Sequence, residues 1–165
     1  MSTYTVPATS VIWSRWNIRE RTKMLTSLKS LLHRNPFAAV LPPVTSSRLI
    51  YVVDDQDGVG ELYALFLQAS GYTVRTFTDR VKALAALKKD KVKPALMITD
   101  YLGVSMPIHG FIQQCREVHP TLRILMASGF SKPNLGFTRL LSDRFIQKPF
   151  TPDELQQEVH AALAA

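Results

Sequence analysis

Cysteine is nearly absent from this chain of 165 residues. With Cys115 alone, no internal disulfide and no multi-cysteine zinc or iron–sulfur site can form. On an amphipathic helix, Cys115 reads as a plain core or surface thiol. No apolar run approaches the roughly 20 residues of a membrane span. The stretch from Trp13 to Lys23 carries charges where a secretory signal would be apolar. A soluble, cytoplasmic protein is the expectation. Acids are scarce at the front: residues 1–47 hold six bases against one acid, Glu20, while residues 48–165 hold fourteen bases and twelve acids. The net charge of +7 therefore sits mainly on the front segment, which argues against a globally basic nucleic-acid-binding domain. His33, His109, His119 and His160 lack metal-ligand spacing, and no repeat-protein period is visible.

What is present is enough apolar material, 46% of residues, for one ordinary core plus an appendage. Residues 1–47 read as a basic extension: one amphipathic helix from about Asn17 to His33, with Met24, Leu25, Leu28, Leu31 and Leu32 at helical spacing, then a linker with Pro36, Pro42 and Pro43. Residues 48–165 alternate strand and helix patterns. Leu49–Val53 is a continuous β-branched and aromatic run, as for a strand buried on both faces. A helix with the stripe Val59, Leu62, Phe66 and Ala69 ends at Gly71. Tyr72–Phe77 is a strand, and Thr78-Asp79 opens a helix carrying Val81, Leu84, Ala85 and Leu87. Strands follow at Ala95–Thr99, Leu122–Ala127 and Phe145–Gln147, with helices over Gly110–Val118 and Lys132–Leu141. The run Lys88-Lys89-Asp90-Lys91 reads as a solvated helix end. Thr151-Pro152-Asp153-Glu154 is a capping box opening a last helix that buries Leu155, Val159 and Leu163. Five βα units imply a doubly wound parallel sheet with helices on both faces.

In such a sheet chemistry gathers outside the carboxyl ends of the strands. Asp54 and Asp55 follow the first strand, with Asp57 beyond; Asp100 follows the third, Ser128 the fourth and Lys148-Pro149 the fifth. Converging carboxylates raise one another's pKa unless a cation neutralises them. Such an oxygen-rich cluster suits Mg²⁺, which takes a few carboxylates and keeps waters for a phosphate ligand. A carboxylate nucleophile, a metal, a lysine and a hydroxyl donor together describe phosphoryl transfer.

These pieces, Val52-Val53-Asp54-Asp55, Ile98-Thr99-Asp100-Tyr101, Ile124 to Gly129 and Phe145 to Phe150, resemble the receiver domain of two-component response regulators in order and near-family spacing, over about Arg48 to Ala165. The resemblance implies a flavodoxin-like five-stranded sheet of order 2-1-3-4-5. It implies that Asp100 accepts phosphate from a kinase phosphohistidine, and that Asp55, Asp100 and the carbonyl of Leu102 hold Mg²⁺, with Asp54 assisting through water. Ser128 and Lys148 would grip the phosphoryl group, Phe145 would be an aromatic switch, and Pro149 would follow a cis peptide bond. The partners implied are a sensor histidine kinase or histidine phosphotransfer protein and a downstream protein, with a homodimer left open. No DNA-binding output domain follows in the sequence, so a stand-alone receiver is expected, one that catalyses only its own phosphorylation and dephosphorylation. Two departures stand out. Met106-Pro107 and Gly110 lie a couple of residues later than the family pattern, so the loop after Asp100 is longer. The stretch from Ser128 to Phe145 is short and lacks the usual Gly-Ala.

Blander readings compete at single positions. A lone aspartate at a strand end is often a helix cap, which for Asp57 is as good a reading as a metal role. For Phe145, core packing outweighs the switch, because buried strands favour aromatics. Asp55-Gln56-Asp57-Gly58-Val59 also looks like the first motif of haloacid-dehalogenase-type phosphatases, but that reading leaves Asp100 idle and lacks a later acidic pair. A non-phosphorylated interaction module, its basic front helix binding a membrane or nucleic acid, is a third reading. Outside the first helix's stripe lie Tyr63 and Leu67; the resemblance implies that this helix meets the phosphodonor, so they are expected as an apolar docking pair or as half-buried packing. The resemblance also implies that the positions two residues beyond Asp100 and Ser128 guard the approach of water; here they are apolar Leu102 and Phe130, which would exclude it and predict a long-lived phosphoaspartate.

Overall fold

The computed structural model describes residues 48–164 apart from Asp57, Val104 and residues 130–140. The sequence-predicted front helix and linker, the helix over Lys132–Leu141 up to its last residue, Asp57 and Phe130 lie outside the described residues. Among the described residues nine elements are defined: β1 (Leu49–Val53), α1 (Val59–Ala69), β2 (Thr73–Phe77), α2 (Arg80–Lys89), β3 (Leu96–Asp100), α3 (Ile108–Val118), β4 (Arg123–Ser128), β5 (Arg144–Gln147) and α4 (Pro152–Ala164). The strands form one parallel sheet in the order β2-β1-β3-β4-β5. This is the doubly wound, flavodoxin-like topology expected above.

The three inner strands are mostly apolar and buried because helices cover both faces. Residues 50–53, 96–100 and 124–128 are buried without a break. On one face Tyr51, Val53, Met97, Ile124 and Met126 pack with Ala83, Leu84 and Leu87 of α2 and Phe111, Ile112 and Cys115 of α3. Cys115 is therefore a core thiol, its pKa pushed up to about 12, chiefly by burial. α1 and α4 pack together on the opposite side. β2 is an edge strand and is half exposed.

Two helices bury a different face from the one their spacing predicts. In α1 the buried residues are Gly60, Tyr63, Ala64, Phe66 and Leu67, while Ala69 is exposed and Leu62 only half-buried. Leu65 points to solvent. Tyr63 and Leu67 are thus core residues, 4% and 0% exposed, and offer no apolar patch for a kinase. The whole helix is apolar enough to accept either phase. Packing of Tyr63 on Phe150, ring centroids 5.0 Å apart, favours the one adopted. In α2 the core takes Ala83, Leu84, Ala86 and Leu87, leaving Val81 and Ala85 exposed.

Helix ends follow the sequence closely. Asp79 caps α2, its carboxylate accepting from the backbone N–H of Val81 at 2.6 Å and of Lys82 at 3.4 Å. Gly71 takes φ +87° directly after α1, a conformation that favours glycine. At α4 the capping box closes both ways: Glu154 accepts from the Thr151 N–H at 2.7 Å, and the Glu154 N–H donates to Thr151 Oγ1 at 3.2 Å. That helix buries Leu155, Val159 and Ala162, with Leu163 half-buried rather than buried. The lysines of the 88–91 run are exposed, as expected, but Asp90 is not simply solvated. It accepts hydrogen bonds from the Tyr51 hydroxyl and the Arg75 guanidinium. Burial, then the hydrogen bond to Asp90 and its negative charge, pushes the Tyr51 phenol up to about 12.

Candidate functional site

Parallel pairing brings the carboxyl ends of the inner strands level. Val53 of β1 pairs with Thr99 of β3, Asp100 with Ala127 of β4, and Ser128 with Gln147 of β5. Asp100 and Ser128 are therefore the last residues of their strands rather than the first beyond them, because the ladder runs one residue further than the apolar runs. Asp54 leaves β1 tied to the edge strand, its N–H donating to the Phe77 carbonyl at 3.0 Å. The Lys148 N–H donates to the Ser128 carbonyl at 2.7 Å, which aims the lysine side chain back over the sheet. The Lys148–Pro149 peptide is cis, as the resemblance implies.

These backbone anchors bring three charged side chains together. Lys148 Nζ lies 2.8 Å from Asp54 Oδ2 and 3.0 Å from Asp100 Oδ1. The side chains of Asp54, Asp100 and Lys148 are only 2%, 10% and 15% exposed, so water screens the trio poorly. Asp54 Oδ1 accepts in addition from the Gln56 N–H at 3.1 Å. Burial raises the Asp100 pKa above the usual carboxylate range; Lys148 pulls against this, and the negative charges of Asp54 and Asp55 add to it. Burial also works against the charge on Lys148, but Tyr63, Asp100 and Asp54 outweigh it and hold its pKa high. The ammonium stays charged.

The other sequence-predicted residues surround this trio. Asp55 is exposed and enters no hydrogen bond or ion pair among the described residues. Ser128 is buried at the end of β4. Leu102 stands in the loop after β3, 46% exposed. Phe145 lies on β5 and packs half-buried against the core, in keeping with the packing reading. Sequence reasoning did not place two neighbours at this site. The Tyr63 ring centroid lies 5.8 Å from Lys148 Nζ, and burial, foremost, raises the phenol's pKa. Arg80, at the start of α2, is buried beneath the loop after Asp100. An arginine beside a capping aspartate reads as a surface residue, and no local pattern marks it otherwise.

The donor set fits Mg²⁺. Carboxylate oxygens of Asp54, Asp55 and Asp100 are hard ligands, and their mutual repulsion at Asp100 is what a divalent cation relieves. Among the described residues no three acidic, histidine or cysteine side chains form a closed cage. Mg²⁺ does not need one, since it keeps several waters. No helix among the described residues is long and apolar enough to cross a membrane.

Comparison with known proteins gives the same picture. The family model of the response regulator receiver domain matches residues 50–160. The regulatory protein VanRc of Enterococcus gallinarum is 34% identical over 122 residues, covering 71% of this chain and 50% of that protein. The solved structure of NtrX from Brucella abortus is 29% identical with a TM-score of 0.65, over 72% of this chain and 27% of that one. The chemotaxis response regulator CheY4 of Vibrio cholerae, at 24% identity and TM-score 0.65, shares the fold over 72% of this chain and all of its own. The chain spans about half the length of the curated relatives it matches. A matched family model over residues 50–160, on a sheet of order 2-1-3-4-5 with its acids and lysine at the strand ends, makes this chain a member of the response regulator receiver domain family.

Proposed function

We propose that the protein accepts a phosphoryl group on Asp100 from the phosphohistidine of a sensor histidine kinase or histidine phosphotransfer protein, and signals to a downstream protein by direct interaction. The observation that carries this reading is the pairing of buried Asp100 with Lys148 across β4. A carboxylate oxygen of Asp100 attacks phosphorus as the P–N bond of the donor breaks. The imidazole leaves neutral when its other nitrogen carries a proton. Lys148 stays protonated and faces the charge that builds on the phosphoryl oxygens, with the Ser128 hydroxyl as a second donor. Asp55, Asp100 and the Leu102 carbonyl would hold Mg²⁺, with Asp54 assisting through water. When bound, the ion supplies charge neutralisation for the incoming phosphoryl group. The reaction is the protein's own modification and its reversal, not turnover of a separate substrate. Asp55, the nucleophile of a phosphatase-like alternative, is exposed and unpaired with Lys148, whereas Asp100 is held by it.

Mass spectrometry after acetyl phosphate and Mg²⁺ tests the reading. One base-labile phosphoryl adduct is expected on the wild type and none on Asp100→Asn; normal labelling of the variant refutes the assignment. Followed as a decay, the same assay reads the lifetime of the phosphoaspartate. Leu102 is apolar and stands beside the acceptor, so it cannot orient a water for attack. Leu102→Asn is expected to shorten the lifetime, and an unchanged or longer one removes Leu102 from that role.

A further inference from the structure

Among the described residues Arg80 is the most deeply buried base, 4% exposed, and its guanidinium meets no carboxylate at hydrogen-bond distance. It is spent instead on backbone carbonyls of one loop. Nη2 donates to Asp100 O at 2.6 Å and Tyr101 O at 3.0 Å; Nη1 donates to Met106 O at 2.6 Å and, at 3.4 Å, to Gly103 O. The Arg80 N–H adds a bond to Ser105 Oγ at 3.3 Å. One planar group thus ties the start of the loop between β3 and α3, at the phosphoacceptor itself, to its end before Pro107. Gly103 is shaped to this contact: a Cβ there would lie 2.9 Å from Arg80 Cζ and 3.0 and 3.1 Å from its two terminal nitrogens. The negative charges of Asp100 and Asp55 offset part of the burial cost of the guanidinium.

The loop so clamped is the one that is longer than the family pattern. Extra residues add conformations, and a buried loop carbonyl without a donor is costly. Arg80 meets both demands, taking the carbonyls of residues 100, 101, 103 and 106 but not that of Leu102. We propose that Arg80 is a positioning residue of the phosphoacceptor site, whose guanidinium sets the β3–α3 loop so that the Leu102 carbonyl is presented to Mg²⁺ beside Asp55 and Asp100. This rests on the receiver reading of the site. Outer residues that orient metal ligands are commonly worth about 10–100-fold in metal affinity.

The test is Mg²⁺ titration of the unphosphorylated full chain, followed by the NMR amide shifts of Asp55 and Gly103. Arg80→Ala is expected to weaken the Mg²⁺ dissociation constant by about 10–100-fold. Arg80→Lys should not restore it, since an ammonium lacks the fork that spans four carbonyls. Gly103→Ala, whose methyl displaces the guanidinium, should weaken binding similarly, and the double variant Arg80→Ala with Gly103→Ala should be no weaker than Arg80→Ala alone. A folded Arg80→Ala that binds Mg²⁺ like the wild type overturns the proposal. If Arg80→Ala fails to fold, wild-type affinity in Gly103→Ala overturns it instead. Failure of the wild type itself to bind Mg²⁺ or to label at Asp100 overturns the receiver reading, and this proposal with it. Wild-type labelling with unaltered variants overturns Arg80's role alone.

Discussion

Asp100 is an acid held where an acid is uncomfortable. Burial raises its pKa and the charges of Asp54 and Asp55 raise it further, with Lys148 only partly compensating. A folded-state pKa above the unfolded one means that the carboxyl contributes its full stability below the unfolded value, about 4, and loses it as the pH rises through the folded value. At neutral pH the ionised Asp100 therefore weighs against the fold. Asp100→Asn, neutral at every pH, should make the metal-free protein more stable than wild type at pH 7, and the difference should vanish in acid. Urea unfolding in a chelator at pH 7 and at about pH 3 measures this. A variant less stable than wild type at pH 7 contradicts the sign. On the proposed reading, reactivity here is maintained against stability, as at many active sites.

Elements show where periodicity is a sufficient guide and where it is not. β1, β3 and β4 were legible because strands buried on both faces need unbroken apolar runs, and their order followed from the family motifs. Asp54, Asp100 and Lys148 were legible because strand ends are where a parallel sheet collects chemistry. In α1, by contrast, residues 59, 62, 66 and 69 and residues 60, 63, 64 and 67 satisfy helical spacing equally. Phe150, 87 residues beyond Tyr63, settles the phase by packing on its ring. Arg80 and Asp90 were illegible for the same reason: their partners lie 20–26 and 15–39 residues away, and a charge beside a helix end looks solvated. The phase of α1 has a measurable consequence. Leu67 is fully buried and Leu65 is 58% exposed. Leu67→Ala should lose about 2–5 kcal/mol in urea denaturation, while Leu65→Ala should stay within about 0.5 kcal/mol of wild type. A reversed ranking would return the helix to the phase its spacing first suggested.

For the whole molecule, Mg²⁺ binding at the proposed acceptor cluster would link that site to global stability. A cation that binds the folded site alone stabilises the fold by mass action, about 1.4 kcal/mol at ten times its dissociation constant. Mg²⁺ should thus raise the thermal midpoint of wild type by several degrees. Asp55→Ala, missing an exposed ligand rather than a packed one, should keep its fold and show no Mg²⁺ shift. An equal shift in both proteins would place the bound ion elsewhere.

The ion pairs of Lys148 reach back 48 residues to Asp100 and 94 to Asp54. During synthesis Asp100 therefore leaves the ribosome well before its counter-charge. At about 5–20 residues per second, seconds pass in which Asp100 exists without the lysine. β5 is the outermost strand on its side of the sheet, and until it docks Asp54 and Asp100 lack the ammonium that pairs with them. On the proposed reading, competence to receive phosphate waits for β5 and the lysine that follows it, and labelling should require a chain translated through Lys148.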